Sequence, residues 1–380
     1  MFELPEDTLA LRDTALDFAR DRIAPHAIAW DEERHFPLDV FREAASLGMA
    51  GLYVREESGG AGLTRLDAAV VFEALATGCP TISAFLSIHN MVAWMVDRWG
   101  DDAQRAQWLP ALLTMEKVAA YCLTEPGSGS DAAALTTRAR RDNEGYVLDG
   151  VKQFISGAGA ADLYLTMART GGAGADGVSA MLVPKGASGL SFGAIEKKMG
   201  WNAQPTRQVI FDAARLPGDA LLGTEGQGFR YAMAGLDGGR LNIAACSLGG
   251  AQAALDIALD YVKSRRAFGR AIADFQATQF RLADMATELE VARTFLWRAC
   301  AKLDAKAPDA THFCAMAKRF VTDTCHRIAD EALQLLGGYG YLSDYGIEKI
   351  VRDLRVHRIL EGTNEIMRVI IARQVMGKPG

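Results

Sequence analysis

The chain has 380 residues, of which 49% are hydrophobic and 23% are charged, so it can form two or three globular domains with buried cores. Its net charge of -6 excludes a general nucleic-acid-binding role, because neutralising phosphates requires an excess of lysine and arginine. The cysteines include no CxxC pair and have no nearby histidines at zinc spacing, which predicts neither a disulfide framework nor a metal site. They are Cys79, Cys122, Cys246, Cys300, Cys314 and Cys325.

The first part of the chain, residues 6–115, has the apolar spacing of helices. Thr64 with Asp67 and Asp101 with Gln104 occupy capping-box positions, which predicts the starts of two helices. The acidic N-terminus enters a helical pattern directly and resembles neither a signal peptide nor a transit peptide. We therefore expect a helical scaffold domain in a cytoplasmic protein.

Short β-prone runs separated by turn residues occupy residues 117–223 and predict a middle β domain. The segment 172–177 satisfies GxGxxG, but it lies between two strand-like runs and opens no helix, so a hairpin loop is predicted rather than a dinucleotide site. The loop 121–131 offers backbone amides, serines and a threonine that could cradle an anionic or carbonyl-rich ligand. A plain surface turn uses the same residues and is the favoured interpretation from composition alone, with the ligand cradle as the alternative.

One strand-like run carries an aromatic ring and a hydroxyl at alternate positions. Phe154 precedes Ser156 by two residues, and side chains at this spacing lie on the same face of a strand. The pair predicts a surface on which a flat ring system could stack.

The chain is helical again from about residue 227, in long runs that predict a bundle. These runs are residues 243–262, 275–303 and 313–336. The least charged run, residues 241–255, is too short and too polar to span a bilayer, so no membrane insertion is expected. A basic stripe follows at every third position, and a solvated face paired with Glu348 and Asp353 is the favoured interpretation. The stripe consists of Lys349, Arg352, Arg355 and Arg358.

The segment 359–366 places Glu361 between two apolar helix-like patterns. Gly362 acts as a stop signal, and Thr363 or Asn364 can cap the second helix. A carboxylate at the C-terminal end of a helix dipole, if also desolvated, has its pKa raised toward that of a general base. A solvated glutamate at a helix end is the favoured interpretation of the local pattern alone, and only the rest of the chain can overturn it.

Four motifs in order, 121–131, 265–269, 334–340 and 360–365, make the whole chain resemble the acyl-CoA dehydrogenase family of FAD enzymes. The resemblance implies an α+β multidomain fold. Its expected parts are an N-terminal helical domain (1–116), a middle β-barrel domain (117–226) and a C-terminal four-helix bundle (227–380).

The resemblance also implies the chemistry. In this family a glutamate removes a proton from the α carbon of an acyl thioester while the flavin accepts hydride from the β carbon. Glu361 matches that base, and Arg240 matches the arginine that supports it. The family also implies a homotetramer, in which FAD is shared between subunits, and electron-transferring flavoprotein as the redox partner.

The positions that match the family's cofactor and substrate contacts are carried over one by one. Those implied for FAD are Tyr121, Leu123, Thr124, Gly129, Ser130, Phe154, Ile155, Ser156, Arg265, Phe268, Phe275, Gln276, Gln334, Gly337, Gly338, Thr363 and Glu365. Those implied for the acyl-CoA are Ser130, Asp237, Arg240, Leu360 and Gly362.

Two departures from straight-chain relatives, Phe154 in place of tryptophan and Leu360 in place of tyrosine, favour a short or α-branched acyl-CoA such as isobutyryl-CoA. The alternatives are 2-methylbutyryl-CoA or butyryl-CoA as substrate, or a flavin oxidase of the same fold. A non-catalytic helical interaction protein is the alternative from a different class.

Overall fold

The computed structural model describes residues 3–377. Six helices form the N-terminal part, and both predicted capping boxes are confirmed at the starts of α4 and α6. The six helices are α1 (Glu6–Phe18), α2 (Ala27–Glu33), α3 (Leu38–Ser46), α4 (Arg65–Gly78), α5 (Pro80–Trp99) and α6 (Asp102–Leu113).

The middle part is one sheet of eight strands in the order β6-β7-β3-β2-β4-β5-β8, with β1 paired in parallel to β4. Strands β4 and β5 are antiparallel partners, so the segment between them is the predicted hairpin loop. The strands are β1 (Ala119–Cys122), β2 (Arg138–Arg141), β3 (Gly145–Ser156), β4 (Leu163–Arg169), β5 (Val178–Pro184), β6 (Leu190–Phe192), β7 (Thr206–Pro217) and β8 (Leu221–Leu222).

The C-terminal part is a helical bundle, as predicted. A small hairpin of two strands separates its first two helices. The elements are α7 (Gly228–Ser264), β9 (Arg266–Ala267), β10 (Arg270–Ala271), α8 (Gln276–Asp304), α9 (Ala310–Leu335), α10 (Ile347–His357) and α11 (Asn364–Val375).

Helix α7 is the central helix of the fold. It packs on α4 and α5 of the N-terminal part as well as on α8, α9 and α10. It is long and apolar enough by composition to cross a bilayer, but 78% of its most apolar window is buried inside the protein. A helix covered in this way is the core helix of a bundle, since its apolar surface already faces other helices.

The basic stripe on α10 does not form a solvated face. Lys349 is buried, and its ammonium donates to the buried carboxylate of Asp353 at 2.6 Å. Asp353 also accepts the backbone N–H of Trp201 at 2.6 Å, so this helix anchors a loop of the middle domain. Both predicted partners are used, since Arg352 pairs with Glu348 at 2.5 Å and Lys349 pairs with Asp353. The interpretation as a solvated face was wrong for Lys349, because charge spacing does not reveal which neighbours cover a helix.

The six cysteines are all free and buried.

Candidate active site

Glu361 lies in the short segment 358–363 between α10 and α11, which is called the break below. Helix α10 ends at His357, and the carbonyl of Val356 then accepts the N–H groups of Ile359 and Leu360 at 2.8 and 3.1 Å. Glu361 follows at φ +56° and Gly362 at φ +86°. A non-glycine residue in the left-handed region costs about 1 kcal/mol, so the surroundings must hold it there.

Helix α11 begins directly after this break. The hydroxyl of Thr363 accepts the N–H of Ile366 at 3.2 Å, which confirms Thr363 as the predicted N-cap. The side chain of Glu365 is exposed on the first turn of α11. Both ends of the break are therefore fixed by ordinary helix hydrogen bonding, and the backbone strain is confined to Glu361.

Two cationic side chains hold the carbonyls of the break. Arg240 on α7 donates its Nε–H to the Glu361 carbonyl at 3.4 Å, and its Nη1 pairs with Asp237 at 2.5 Å. Lys318 on α9 donates to the Gly362 carbonyl at 2.8 Å. Asp237 also accepts the hydroxyl of Thr311 at 2.6 Å. Arg240 on α7 and Lys318 on α9 therefore each hold one backbone carbonyl of the break.

The Glu361 carboxylate lies against α7 at Gly239. A Cβ on Gly239 would stand 2.4 Å from Oε2 of Glu361, so only glycine leaves room for the carboxylate here. Within residues 3–377, buried Oε2 has no hydrogen-bond partner. Burial raises the pKa of Glu361 to about 7, although the charges of Arg240 and Lys318 oppose the rise.

Of the two causes that the sequence suggested for a raised pKa, the helix dipole and desolvation, the structure supports desolvation. The helix before Glu361 ends at His357, so the carboxylate does not sit on the last turn of α10. Loss of water on burial is the main influence that raises the pKa of this carboxyl. A buried carboxylate with one free oxygen and a pKa near neutrality has the properties of a general base.

Tyr121 faces the same region from strand β1. Its buried hydroxyl lacks a partner among the described residues, and its pKa is raised by burial and then by the negative charge of Glu361. Leu123 follows as a buried residue, and the Thr124 carbonyl accepts the N–H of Gln153 at 2.8 Å. Beyond them Gly129 and Ser130 are exposed. Strand β1 therefore leads from the region of Glu361 into the predicted loop, which reaches the surface at Gly129 and Ser130.

A buried ion pair fixes the base of this loop. The ammonium of Lys152, with no exposed surface, donates to Glu125 at 2.8 Å and to the Leu123 carbonyl at 3.0 Å. Glu125 also accepts the N–H groups of Thr136 and Thr137 at 2.6 and 2.9 Å. Glu125 is buried, which alone would raise its pKa, but Lys152 and these donors lower the pKa to about 2. The loop is therefore a turn between Glu125 and Ser128 whose base is held by a buried ion pair.

Phe154 is presented by an irregularity in β3. The register of β3 against β7 shifts between Lys152 and Ile155, and Phe154 adopts φ +60° with 64% of its surface exposed. The register shift interrupts the alternation of side chains between the two faces of β3. Strand periodicity therefore no longer places Phe154 and Ser156 on one face, as the sequence predicted. Ile155 is buried, whereas the Ser156 hydroxyl accepts from Gln204 at 3.2 Å.

The remaining predicted cofactor residues form a second region, on a cleft of about 430 Å³ that neither Glu361 nor Tyr121 lines. Arg265, Gln334, Gly337 and Gly338 line this cleft. Beside it, in the turn between β9 and β10, Phe268 is 93% exposed. The sequence neighbours Phe275 and Gln276 lie at the start of α8, with the Phe275 ring 6.2 Å from that of Phe268. A single chain therefore does not bring the two sets of predicted FAD residues into one pocket.

Sequence reasoning missed two buried lysines, Lys318 and Lys152. Lys318 lies on the same apolar face of α9 as Cys314, Val321 and Cys325, all fully buried. A lysine within an apolar helical face is a signal that the pattern itself contains. It could have been found by asking which charged residues interrupt predicted core positions.

Three family models match the chain in order. The acyl-CoA dehydrogenase N-terminal domain matches residues 5–116, the middle domain residues 120–214 and the C-terminal domain residues 226–376. The mitochondrial isobutyryl-CoA dehydrogenase of Dictyostelium discoideum is 54% identical over 98% of this chain and 90% of the relative.

Solved structures agree with this result. Butyryl-CoA dehydrogenase from Megasphaera elsdenii superposes with a TM-score of 0.95 at 34% identity, covering 99% of this chain and 100% of that one. The FAD complex of PigA superposes with a TM-score of 0.94 at 30% identity, covering 99% of both chains. The expected three-part fold is thereby confirmed.

Proposed function

Since the chain belongs to the acyl-CoA dehydrogenase family, we propose that it is an FAD-dependent enzyme that oxidises isobutyryl-CoA to methacrylyl-CoA, with Glu361 as the base. The 54% identical relative carries isobutyryl-CoA in its name, which supports a short branched substrate. The butyryl-CoA dehydrogenase neighbour fits the short-chain alternatives.

One observation carries the assignment of the base: a buried carboxylate whose Oε2 is free, against a glycine that leaves it room. Such a group can accept the α proton of a thioester, because its pKa of about 7 matches proton transfer near neutral pH. A bound acyl chain removes more water from Glu361 and raises the pKa further. Arg240 keeps the residue in place by binding its carbonyl.

The residues around Glu361 fit a flavin. Orphaned polar atoms of Tyr121 and Gln204 are buried nearby in the sheet region, and the Phe154 ring stands exposed on the same β3 segment as Ser156. We propose that Leu123, Thr124, Phe154, Ile155 and Ser156 hold the flavin end. FAD supplies the hydride acceptor that no protein side chain provides.

The second cleft fits the other end of the cofactor. It presents a guanidinium, a carboxamide and backbone at two glycines, which are donors suited to a phosphate or nucleotide edge. Because it is separate from the Glu361 pocket, we propose that it receives the ADP half of a cofactor held mainly by another subunit. The expected homotetramer supplies that geometry. Thr363 and Glu365 remain proposed cofactor contacts because they match positions at which the family contacts FAD.

The substrate contacts are proposed from their positions around the break. Asp237 and Arg240 form a buried pair at the α7 side, suited to guiding the pantetheine, and exposed Ser130 suits a phosphate of CoA. Leu360 and Gly362 flank the base. Leu360 is smaller than tyrosine and packs partly buried against the core, which leaves width for an α-branched acyl group.

The test of the base uses Glu361→Gln in the FAD-loaded enzyme. The variant should keep its FAD, because Glu361 acts on the substrate, but anaerobic isobutyryl-CoA should no longer bleach the flavin. A glutamine cannot accept the α proton. Rapid bleaching in the variant would refute the assignment of the base, and full wild-type bleaching is the positive control.

A panel of acyl-CoA substrates tests the proposed chain length. Isobutyryl-CoA should reduce the flavin faster than 2-methylbutyryl-CoA, butyryl-CoA or isovaleryl-CoA, and comparable rates for all would contradict the narrow substrate while leaving the family unchanged. Oxygen uptake without an added acceptor would indicate the oxidase alternative. A colourless protein that takes up no FAD would indicate a non-catalytic interaction protein.

The remaining parts of the proposal concern assembly and location. We propose electron-transferring flavoprotein as the acceptor, a cytoplasmic location, and the domain limits 1–116, 117–226 and 227–380. The free, buried cysteines suit any reducing compartment. Reduction of electron-transferring flavoprotein by the substrate-loaded enzyme tests the partner, and sedimentation tests the tetramer.

A further inference from the structure

We propose that Lys318 is a positioning residue for Glu361. Its ammonium fixes the break between α10 and α11 that carries Glu361, and its positive charge favours the ionised, proton-accepting form of the Glu361 carboxyl. This inference rests on Glu361 being the base. Lys318 lies on α9 and contacts neither the Phe154 region nor the second cleft.

The geometry of the ammonium supports the first half of the proposal. Lys318 has no exposed surface, and its Nζ donates to the Gly362 carbonyl at 2.8 Å and to Oδ1 of Asn364 at 2.9 Å. The Asn364 amide is held in turn by Thr322 at 3.0 Å and Asp323 at 2.9 Å. Lys318 therefore binds both sides of Thr363, so it fixes the first turn of α11 relative to the strained residue of the break.

The charges around the ammonium support the second half. Across residues 3–377, no carboxylate lies in ion-pair contact with Lys318, and its hydrogen-bond acceptors are neutral. The charged groups that face it are Glu361 from the break, Arg240 from α7, Asp323 from α9 itself, Glu365 from α11 and His357 from α10. Asp323 already pairs with Arg358 at 2.8 Å, and Glu365 is exposed. Glu361 is thus the buried anion left to balance Lys318.

The two groups also oppose each other's tendency to lose charge. Burial lowers the pKa of Lys318 to about 7, and the negative charge of Glu361 is the first influence that raises it. The charge of Lys318 in turn lowers the pKa of Glu361. Each group therefore favours the charged form of the other near neutral pH. Buried His357 is held neutral, because burial and the Lys318 charge lower its pKa to about 3, so it adds no competing positive charge.

The experiment compares Lys318→Met and Lys318→Gln with wild-type holoenzyme, following substrate-driven flavin reduction across pH 5.5 to 9.5. Plotted against pH, the rate of flavin reduction should fall at low pH as Glu361 is protonated. Removing the charge of Lys318 should move this low-pH limb upward by about 1 pH unit, since an opposite charge nearby shifts a carboxyl pKa by about that much or more. The rate at pH 7 should fall several-fold and recover above pH 9. Gln retains one donor for the Gly362 carbonyl, so this variant isolates the charge if the Met variant folds poorly.

The matched control is Thr322→Val, which loosens the same network without changing its charge and should leave the limb at the wild-type pH. FAD content and thermal midpoints report folding. A limb that stays at the wild-type pH in Lys318→Gln would overturn the proposal, even if the maximal rate falls. Glu361→Gln is measured alongside: bleaching in that variant would refute the base itself, whereas an inactive Glu361→Gln with unshifted Lys318 variants would refute only the role of Lys318.

Discussion

The raised pKa of Glu361 predicts a stability effect that does not depend on catalysis. Ionising this carboxyl is harder in the folded chain than in the unfolded chain, because folding buries it. Its contribution to the free energy of unfolding is therefore most favourable below the unfolded pKa and is lost as the pH rises toward the folded pKa. Replacing Glu361 by Gln removes this pH-dependent loss.

The magnitude follows from the two pKa values. The folded value is about 7 and the ordinary value is 4.5, a difference of about 2.5 units. At 1.36 kcal/mol per unit, the ionised side chain costs about 3 kcal/mol of unfolding free energy above pH 7. Between pH 4.5 and 7 the stability of Glu361→Gln should therefore gain up to about 3 kcal/mol relative to wild type.

The assay is urea unfolding of both proteins with saturating FAD, followed by tryptophan fluorescence at pH 5 and pH 8. Any cost of burying the glutamine amide is the same at both pH values, so only the change in the difference is interpreted. Glu365→Gln is the matched control, because that carboxylate is exposed on α11 and its loss should not alter the difference. Equal differences at pH 5 and pH 8 for Glu361→Gln would refute the reasoning.

Two further substitutions test the surroundings of the base. Gly239→Ala should lower the rate of flavin reduction about 100-fold by displacing the Glu361 carboxylate, since its Cβ would lie 2.4 Å from Oε2, while stability is nearly unchanged. Gly235→Ala on the same helix meets only the flexible side chains of Met95 and Met91 and should keep the rate; equal rates for both variants would contradict the steric argument. Lys152→Met should destabilise the protein by about 3–5 kcal/mol by leaving Glu125 buried without its cation, and should lower FAD content. An unchanged urea midpoint and full flavin absorbance would contradict that expectation.

The sequence contained the order of the motifs and most of the local structure. Capping boxes at Thr64 and Asp101 marked helix starts because a cap needs only neighbours within one turn. The Thr363 cap and the long C-terminal helices followed from the same short-range rules. Resemblance to the family supplied the rest of the fold and pointed to Glu361, since four ordered motifs are far more specific than any one of them.

Long-range contacts decided what short-range patterns left open. The environment of Glu361 depends on Gly239, Arg240 and Lys318, which are remote in sequence and come from two other helices. The same reason explains the error at Lys349, whose burial is set by the elements that cover α10.

The chain by itself determined where helices and strands form and which family's residues it carries, because those depend on spacing along the backbone. Only the tertiary structure decided which charged side chains are desolvated. Desolvation depends on every atom packed around a group, and it is desolvation that raises the pKa of Glu361, lowers that of Lys318 and makes the pair a unit.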